Sequence, residues 1–411
     1  MHAGAMFHAY CKRCLKRLGR GFVPFCPECG GMSDIEYDLA AVRLRDAANP
    51  YVRFADLLPV VDRSLLPDDA EPTPTVHATR LGEMLGMPWL YLKDETRLPT
   101  GTTKDRMAAV ALPYLRECGV RGFATSSTGN SSTAYAHAIS RIPELTMYLF
   151  TASQFRDRIQ ADGRGQVVNF ILRDATFVEA FDAARDFANA RGLVSERGFF
   201  NPGRREGLKL AWLEASEQVP RSIDWYVQAV SSAMGVYGVF KGAKELHAMG
   251  RIDRLPRLLC VQQETCAPMV HAWEDGADSI RPEHIVPRPT GIAQAILRGN
   301  PTRAYSPVRE IVLESGGTFV SVSEREIRQG RQSVEELEGI SPCFSAATAM
   351  AGLMKLRRLG ELPAEDTVLV NLTGSDRPET ASLGDARWLM RSNGRWLSES
   401  GEEVIPRPQP Q

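Results

Sequence analysis

Short apolar runs alternate with amphipathic stretches along most of this chain. Eight runs rich in Val, Leu, Ile and aromatic residues predict strands: Trp89–Lys93, Gly122–Ser126, Thr146–Thr151, Val167–Leu172, Trp225–Val230, Leu258–Gln262, Thr318–Val322 and Thr367–Leu372. Short, continuous apolar runs of this kind are what strands buried on both faces look like. Between them the sequence predicts helices at Ser131–Ile139, Phe177–Ala190, Val236–Met249 and Ser345–Arg358. A further helix begins at Ser323, where Glu326 three residues on completes a capping box that satisfies free N–H groups. Gly360 supplies a left-handed stop after the Ser345–Arg358 helix. Strands alternating with helices predict an α/β fold whose mostly parallel sheet is covered on both faces. Ligands of such folds gather at the carboxyl ends of strands, which selects the loops after Ser126, Val230 and Leu372.

The texture changes at both ends. Residues 1–45 carry two CxxC pairs and little apolar periodicity. Residues 391–411, ending Pro406-Arg407-Pro408-Gln409-Pro410-Gln411, read as a C-terminal tail without fixed structure. Composition adds exclusions. A net charge of −1 gives no long-range attraction to nucleic acid or an anionic membrane. Apolar runs are too short to cross a bilayer, and Met1–Tyr10 lacks the pattern of a secretory signal, so a cytoplasmic location is expected.

Candidate chemistry concentrates in loops. Pro99-Thr100-Gly101-Thr102-Thr103-Lys104-Asp105-Arg106 places one lysine after a small, hydroxyl-rich loop and before a helix. Taken alone, Lys104 is as readily an ordinary surface lysine. Ser126-Ser127-Thr128-Gly129-Asn130-Ser131-Ser132 links a strand to a helix, and N–H groups at that helix start can hold an anion; the plainer reading is a Ser/Asn cap. Ser231-Ser232-Ala233-Met234-Gly235 is a second strand–loop–helix of the kind that cradles phosphate. Thr373-Gly374-Ser375 follows the last strand. Cys11-Lys12-Arg13-Cys14 and Cys26-Pro27-Glu28-Cys29 stand eleven residues apart, a spacing that suits a tetrahedral zinc ribbon of four cysteines. The alternative is four reduced thiols without metal.

In this order the loops resemble those of the fold-type II pyridoxal-phosphate (PLP) enzymes, closest to the threonine synthase and cysteate synthase family. Pro72-Thr73-Pro74-Thr75, Phe240-Lys241-Gly242, Thr290–Pro301 and Gly339–Gly352 also resemble family segments, so the likeness spans about residues 8–380. It implies the tryptophan synthase β-like fold: two open, twisted, mostly parallel sheets plus a small zinc-ribbon-like segment. The implied domains are 1–45 for the ribbon, 46–105 with 205–390 for a large cofactor domain, and 106–204 for a small substrate-side domain. Lys104 would be catalytic, attaching the cofactor and later moving a proton. Asn130, Ser231, Ser232, Ala233, Met234, Gly235, Thr373 and Ser375 would hold PLP. Ser127, Thr128, Gly129 and Ser131 would hold the substrate carboxylate, with Arg106, Arg298 and Cys343 as further substrate contacts. Related synthases often carry a ribbon like this one, with Cys11, Cys14, Cys26 and Cys29 as zinc ligands.

The chain departs from the family pattern in two places. Ser231, Ser232 and Met234 replace some of the usual glycines and asparagines, and Ser341-Pro342-Cys343-Phe344 stands where an acidic residue, a proline and small residues are usual. These departures favour β-replacement on an activated amino acid such as O-phospho-L-serine, cysteate-synthase-like. Threonine synthase chemistry on O-phosphohomoserine is the alternative. A third reading is a non-catalytic zinc-ribbon protein on a decayed PLP scaffold. The expected partners are a small amino-acid substrate and a second copy of the chain as a homodimer, with neither nucleic acid nor membrane.

Overall fold

A computed structural model describes residues 6–161, 165–377 and 383–405. The chain opens with β1 (Phe7–Cys11) and β2 (Ser33–Tyr37), an antiparallel pair that carries the cysteine knuckles between its strands. A short helix, α1 (Pro50–Arg53), leads to β3 (Thr75–His77), α2 (Thr79–Leu85) and β4 (Leu90–Asp94). Helix α3 (Lys104–Glu117) then crosses to a second sheet made by β5 (Gly122–Ser126), α4 (Asn130–Ile139), β6 (Thr146–Ala152), β7 (Val167–Leu172), α5 (Phe177–Ala190) and β8 (Val194–Ser195). Helices α6 (Pro202–Leu208) and α7 (Leu210–Gln218) return the chain to the first sheet. There β9 (Trp225–Ala229), α8 (Met234–Ala248), β10 (Arg257–Gln263), α9 (Pro268–Glu274), α10 (Thr302–Glu314), β11 (Thr318–Val322), α11 (Glu324–Glu338), α12 (Phe344–Arg358) and β12 (Val368–Leu372) complete it.

The first sheet has strand order β11-β10-β9-β12-β4-β3, parallel except for β3. Every residue of β4, β9 and β12 is buried, which explains their unbroken apolar character. All eight expected strands are present, and the Ser323 capping box forms, with the Ser323 hydroxyl accepting from the Glu326 N–H at 3.3 Å.

The C-terminal expectation is corrected. Residues 391–405 are not a tail. β13 (Arg387–Ser392) pairs parallel to β7, and β14 (Arg395–Ser398) and β15 (Glu403–Ile405) extend that sheet to the order β15-β14-β13-β7-β6-β5-β8. Leu389, Trp396 and Ile405 pack with Phe170 and Phe187 in one apolar cluster. Pro406–Gln411 lies outside the described residues.

Helix α6 escaped the sequence reading for a physical reason. Its Arg204, Arg205 and Glu206 look like a solvent face, yet every residue of the helix is buried. It is wedged among α3 and α8 by glycines. A Cβ on Gly207 would lie 2.2 Å from the Arg106 carbonyl oxygen, and one on Gly238 would lie 2.3 Å from that of Arg205.

Candidate active site

Between the carboxyl ends of the two sheets lies a cavity of about 180 Å³. Lys104, Ser127, Thr128, Asn130, Ser131, Ser231, Ser232, Ala233, Met234, Gly235, Arg298, Cys343 and Thr373 all line it. The tertiary structure thus brings together most of the candidate residues, which the chain separates by up to 269 positions (Lys104 to Thr373).

The lysine loop is held from several sides. The Asp105 carboxylate accepts the Thr100 N–H at 2.7 Å and its hydroxyl at 2.8 Å. Thr102 bridges Gly374, and the Thr103 N–H donates to the Thr373 carbonyl at 2.9 Å. Gly101 takes φ +71°, where a Cβ would meet the Ser375 hydroxyl at 2.7 Å, so glycine is required twice over. Burial, then the neighbouring Arg204 guanidinium, bring the Lys104 amine down to about 8. That range suits a lysine that must shed its proton to attach a cofactor.

Four helices, α3, α4, α8 and α12, begin at this cavity, and none of their N-cap side chains accepts a hydrogen bond. Their partial positive charges converge on one space. The Ser127 hydroxyl accepts from the Gly129 and Ser132 N–H groups at 3.1 and 3.2 Å and shapes the start of α4. In the 231–235 loop, Ala233 adopts a left-handed φ of +56° just before α8. A Cβ on Gly235, in the first turn of α8, would lie 2.6 Å from the Gln228 amide nitrogen, so a side chain there would displace the Gln228 amide from its place on the cavity wall. Small-residue loop, uncapped helix start and lysine in one cavity fit a phosphate-bearing aldehyde cofactor.

Three expectations need correction. Arg106 does not face the cavity. It is buried in ion pairs with Glu95 at 2.8 Å and Glu214 at 2.6 Å, beside Lys93, and two carboxylates consume its charge. Ser375 turns its hydroxyl 3.4 Å from the Gly101 carbonyl and stays outside the lining, while Gly129 (φ +134°) tucks against Arg158.

The sequence reading also missed residues that line the site. Arg204 is buried in a bidentate ion pair with Glu196 (Nη2 to Oε2 2.6 Å) beside the Tyr135 hydroxyl (3.0 Å), and both members of the pair line the cavity, where Lys104 and Arg298 are further basic groups. Burial and the same Arg204 charge push Arg298 below its ordinary value. Gln228 and Ser345 lie on the wall, and Phe177, Phe181 and Phe199 supply its apolar part. The Asn201-Pro202 pair, a cap followed by proline at the first helical position, was the available signal for α6 and hence for Arg204.

Comparison with known proteins decides the family. Residues 66–374 match the family model described as pyridoxal-phosphate dependent enzyme. The chain belongs to that family. Among curated relatives of this PLP enzyme, the threonine synthase of Methanosarcina acetivorans is 32% identical over 387 residues, covering 90% of this chain and 91% of the relative. The cysteate synthase of Methanospirillum hungatei is 26% identical, covering 89% and 88%. Among solved structures, maize serine racemase superposes with a TM-score of 0.63 at 18% identity, covering 75% of this chain and 89% of that one. The processed threonine deaminase isoform 2 of Solanum lycopersicum gives 0.63 and 18%, covering 74% and 80%. The fold is therefore fold-type II, tryptophan synthase β-like, and the PLP enzyme is a lyase of the elimination and replacement class.

At the N-terminus, the Sγ atoms of Cys11, Cys14, Cys26 and Cys29 lie within 4.8 Å of one another. The Arg13 and Gly31 N–H groups donate to the Cys11 and Cys29 sulfurs at 3.4 Å each. This donor set suits one tetrahedral zinc ion. Among the described residues, no helix is long and apolar enough to cross a membrane.

Proposed function

We propose that this PLP enzyme replaces an anionic leaving group, phosphate first, on an activated amino acid, with O-phospho-L-serine as the leading substrate. The observation that carries this reading is the joint lining of one cavity by Lys104, the 231–235 loop, Asn130 and two arginines. PLP, when bound, supplies an electron sink for deprotonation of the substrate α-carbon. Lys104 takes and returns the α-proton. N–H groups at the start of α4, with Ser127, Thr128 and Ser131, hold the substrate carboxylate. Asn130, Ser231–Gly235 and Thr373 hold the cofactor. Arg298, with the Arg204–Glu196 pair beside it, faces the departing anion; of the two arginines expected to contact substrate, Arg106 and Arg298, it alone lines the cavity.

A second reading, the threonine synthase reaction on O-phosphohomoserine, is favoured by the 32% identity to a threonine synthase over nine-tenths of the chain. The two substrates differ by one methylene. Purified protein incubated with each, with phosphate release and the visible spectrum followed, separates them. Release from phosphoserine alone supports the first reading, and release from phosphohomoserine alone replaces it with the second. Protein that stays colourless with added PLP and releases phosphate from neither overturns both. We further propose a cytoplasmic homodimer with one structural zinc per chain. A monomer in analytical ultracentrifugation, or metal analysis without zinc, would reject those parts.

A further inference from the structure

The cysteine ribbon is not a separate appendage. Its second knuckle runs directly into β2, and residues beside the cysteines contact the segment that carries part of the active-site wall. Phe25, adjacent to Cys26, packs against Phe200 with ring centroids 4.7 Å apart and ring planes tilted by 42°. The Arg205 guanidinium donates from Nη2 to the Ser33 carbonyl at 2.5 Å and from Nη1 to the Phe199 carbonyl at 2.5 Å. One side chain thus ties the strand leaving the knuckle to the segment entering α6. Asp34 lies 3.5 Å from the same guanidinium and accepts from the Tyr237 hydroxyl at 2.9 Å. The Tyr37 hydroxyl donates to Glu206 at 2.7 Å. Ser33, Asp34, Arg205 and Glu206 are all buried, so these contacts are shielded from water.

The far side of that segment is the cavity. Phe199 and Arg204, which flank the tethered backbone, line it, whereas Arg205 does not. Arg204 lies near Lys104 and Arg298, its guanidinium held by Glu196 and Tyr135 and its backbone carried by the tethered start of α6.

We propose that Arg205, braced by Asp34, is a positioning residue that makes the metal-loaded ribbon part of the active-site wall, so that the ribbon's state sets how tightly the cavity holds an anionic substrate. The proposal rests on the anion-binding reading given above and adds a dependence on a site remote from the chemistry.

The test uses full-length, PLP-loaded protein with zinc content measured. Wild type, wild type stripped by chelator, Arg205→Met and Asp34→Asn are compared, the last retaining volume should Arg205→Met not fold. Inorganic phosphate affinity is read from perturbation of the visible cofactor band, and amide hydrogen exchange is followed across residues 199–208. Stripping and Arg205→Met are each expected to weaken phosphate binding about tenfold, the scale of one charge-assisted hydrogen bond. Both should speed exchange at 199–208 while the unliganded cofactor band stays unchanged. Stripping Arg205→Met should add nothing more. Metal-free protein that keeps wild-type phosphate affinity and protection overturns the proposal, as does a second full loss on stripping the variant. If wild type itself fails to bind phosphate, the anion reading has failed, and exchange at 199–208 still decides whether ribbon and wall are coupled.

Discussion

At the residue scale, Lys104 and Arg106 show how two neighbouring cations part ways. Lys104 shares its cavity with Arg204 and Glu196, which pair with each other, and burial, then the Arg204 charge, bring its amine down to about 8. A neutral amine is the nucleophile that attaches a cofactor aldehyde. The neutral fraction grows as pH rises through the pKa. The rate at which apo-protein takes up PLP should therefore climb from pH 7 and level off above about 8, as read by stopped-flow absorbance. Arg204→Met removes a cation and frees Glu196, both of which favour the ammonium form, so the inflection should move to higher pH. Lys104→Ala should abolish both the visible band and turnover. Arg106 does the opposite job, since Glu95 and Glu214 neutralise it in the core. Arg106→Met leaves two buried carboxylates beside Lys93 alone, and should cost about 3–5 kcal/mol by denaturant unfolding. The motif that flagged Lys104 also flagged Arg106, because sequence adjacency says nothing about which side of a helix start faces a cavity.

At the element scale, α6 is the piece that sequence patterning could not find, and it carries Arg204 to the cavity wall. Its polar residues are buried because each meets an opposite charge: Arg204 with Glu196, Arg205 with Asp34, Glu206 with Lys209 and Lys241. A hydrophobic periodicity cannot register a helix that is buried on every side and satisfied by ion pairs. The helix fits only because its glycines admit neighbouring backbones. Gly207→Ala should force α3 and α6 apart, cost about 1–3 kcal/mol in thermal or denaturant unfolding, and weaken anion binding through Arg204. A fully stable Gly207→Ala with unchanged affinity would contradict the close packing described. By contrast, α5 was legible to the residue from its amphipathic pattern and the start of α11 from the Ser323 capping box, and the structure adds a second such box at Thr176 with Glu179.

At the scale of the whole molecule, the last segment completes the second sheet. Residues 387–405 cover the β7 edge and pack Leu389, Trp396 and Ile405 onto Phe170 and Phe187. Removing residues 387–411 should expose that edge and its aromatic cluster. The expected outcome is a lower melting temperature and concentration-dependent aggregation by light scattering, with the ribbon's capacity to bind added metal unchanged. A truncated chain that stays monodisperse and as stable as the full chain would show that the strands add nothing. The proline-rich ending drew the sequence reading toward a tail, but pairing partners more than 200 residues away decided otherwise.

The sequence by itself determined the local events: which runs become buried strands, where helices are capped, that Lys104, Asn130 and the 231–235 segment lie in strand-to-helix connections or at helix starts, and that Thr373 directly follows β12. These are short-range consequences of apolar runs, turn residues and capping groups, and they read directly from the order of residues. Only the tertiary structure decided which charges face the cavity and which are spent in the core. That choice paired Arg106 with Glu95 and Glu214 in the core, set Arg204 and Glu196 on the cavity wall, and hydrogen-bonded Arg205 to the Ser33 and Phe199 carbonyls. A charged side chain takes its role from partners far away in the chain, and those partners exist only once both sheets have packed. What the lysine loop promised locally, the buried ion pairs around it made specific.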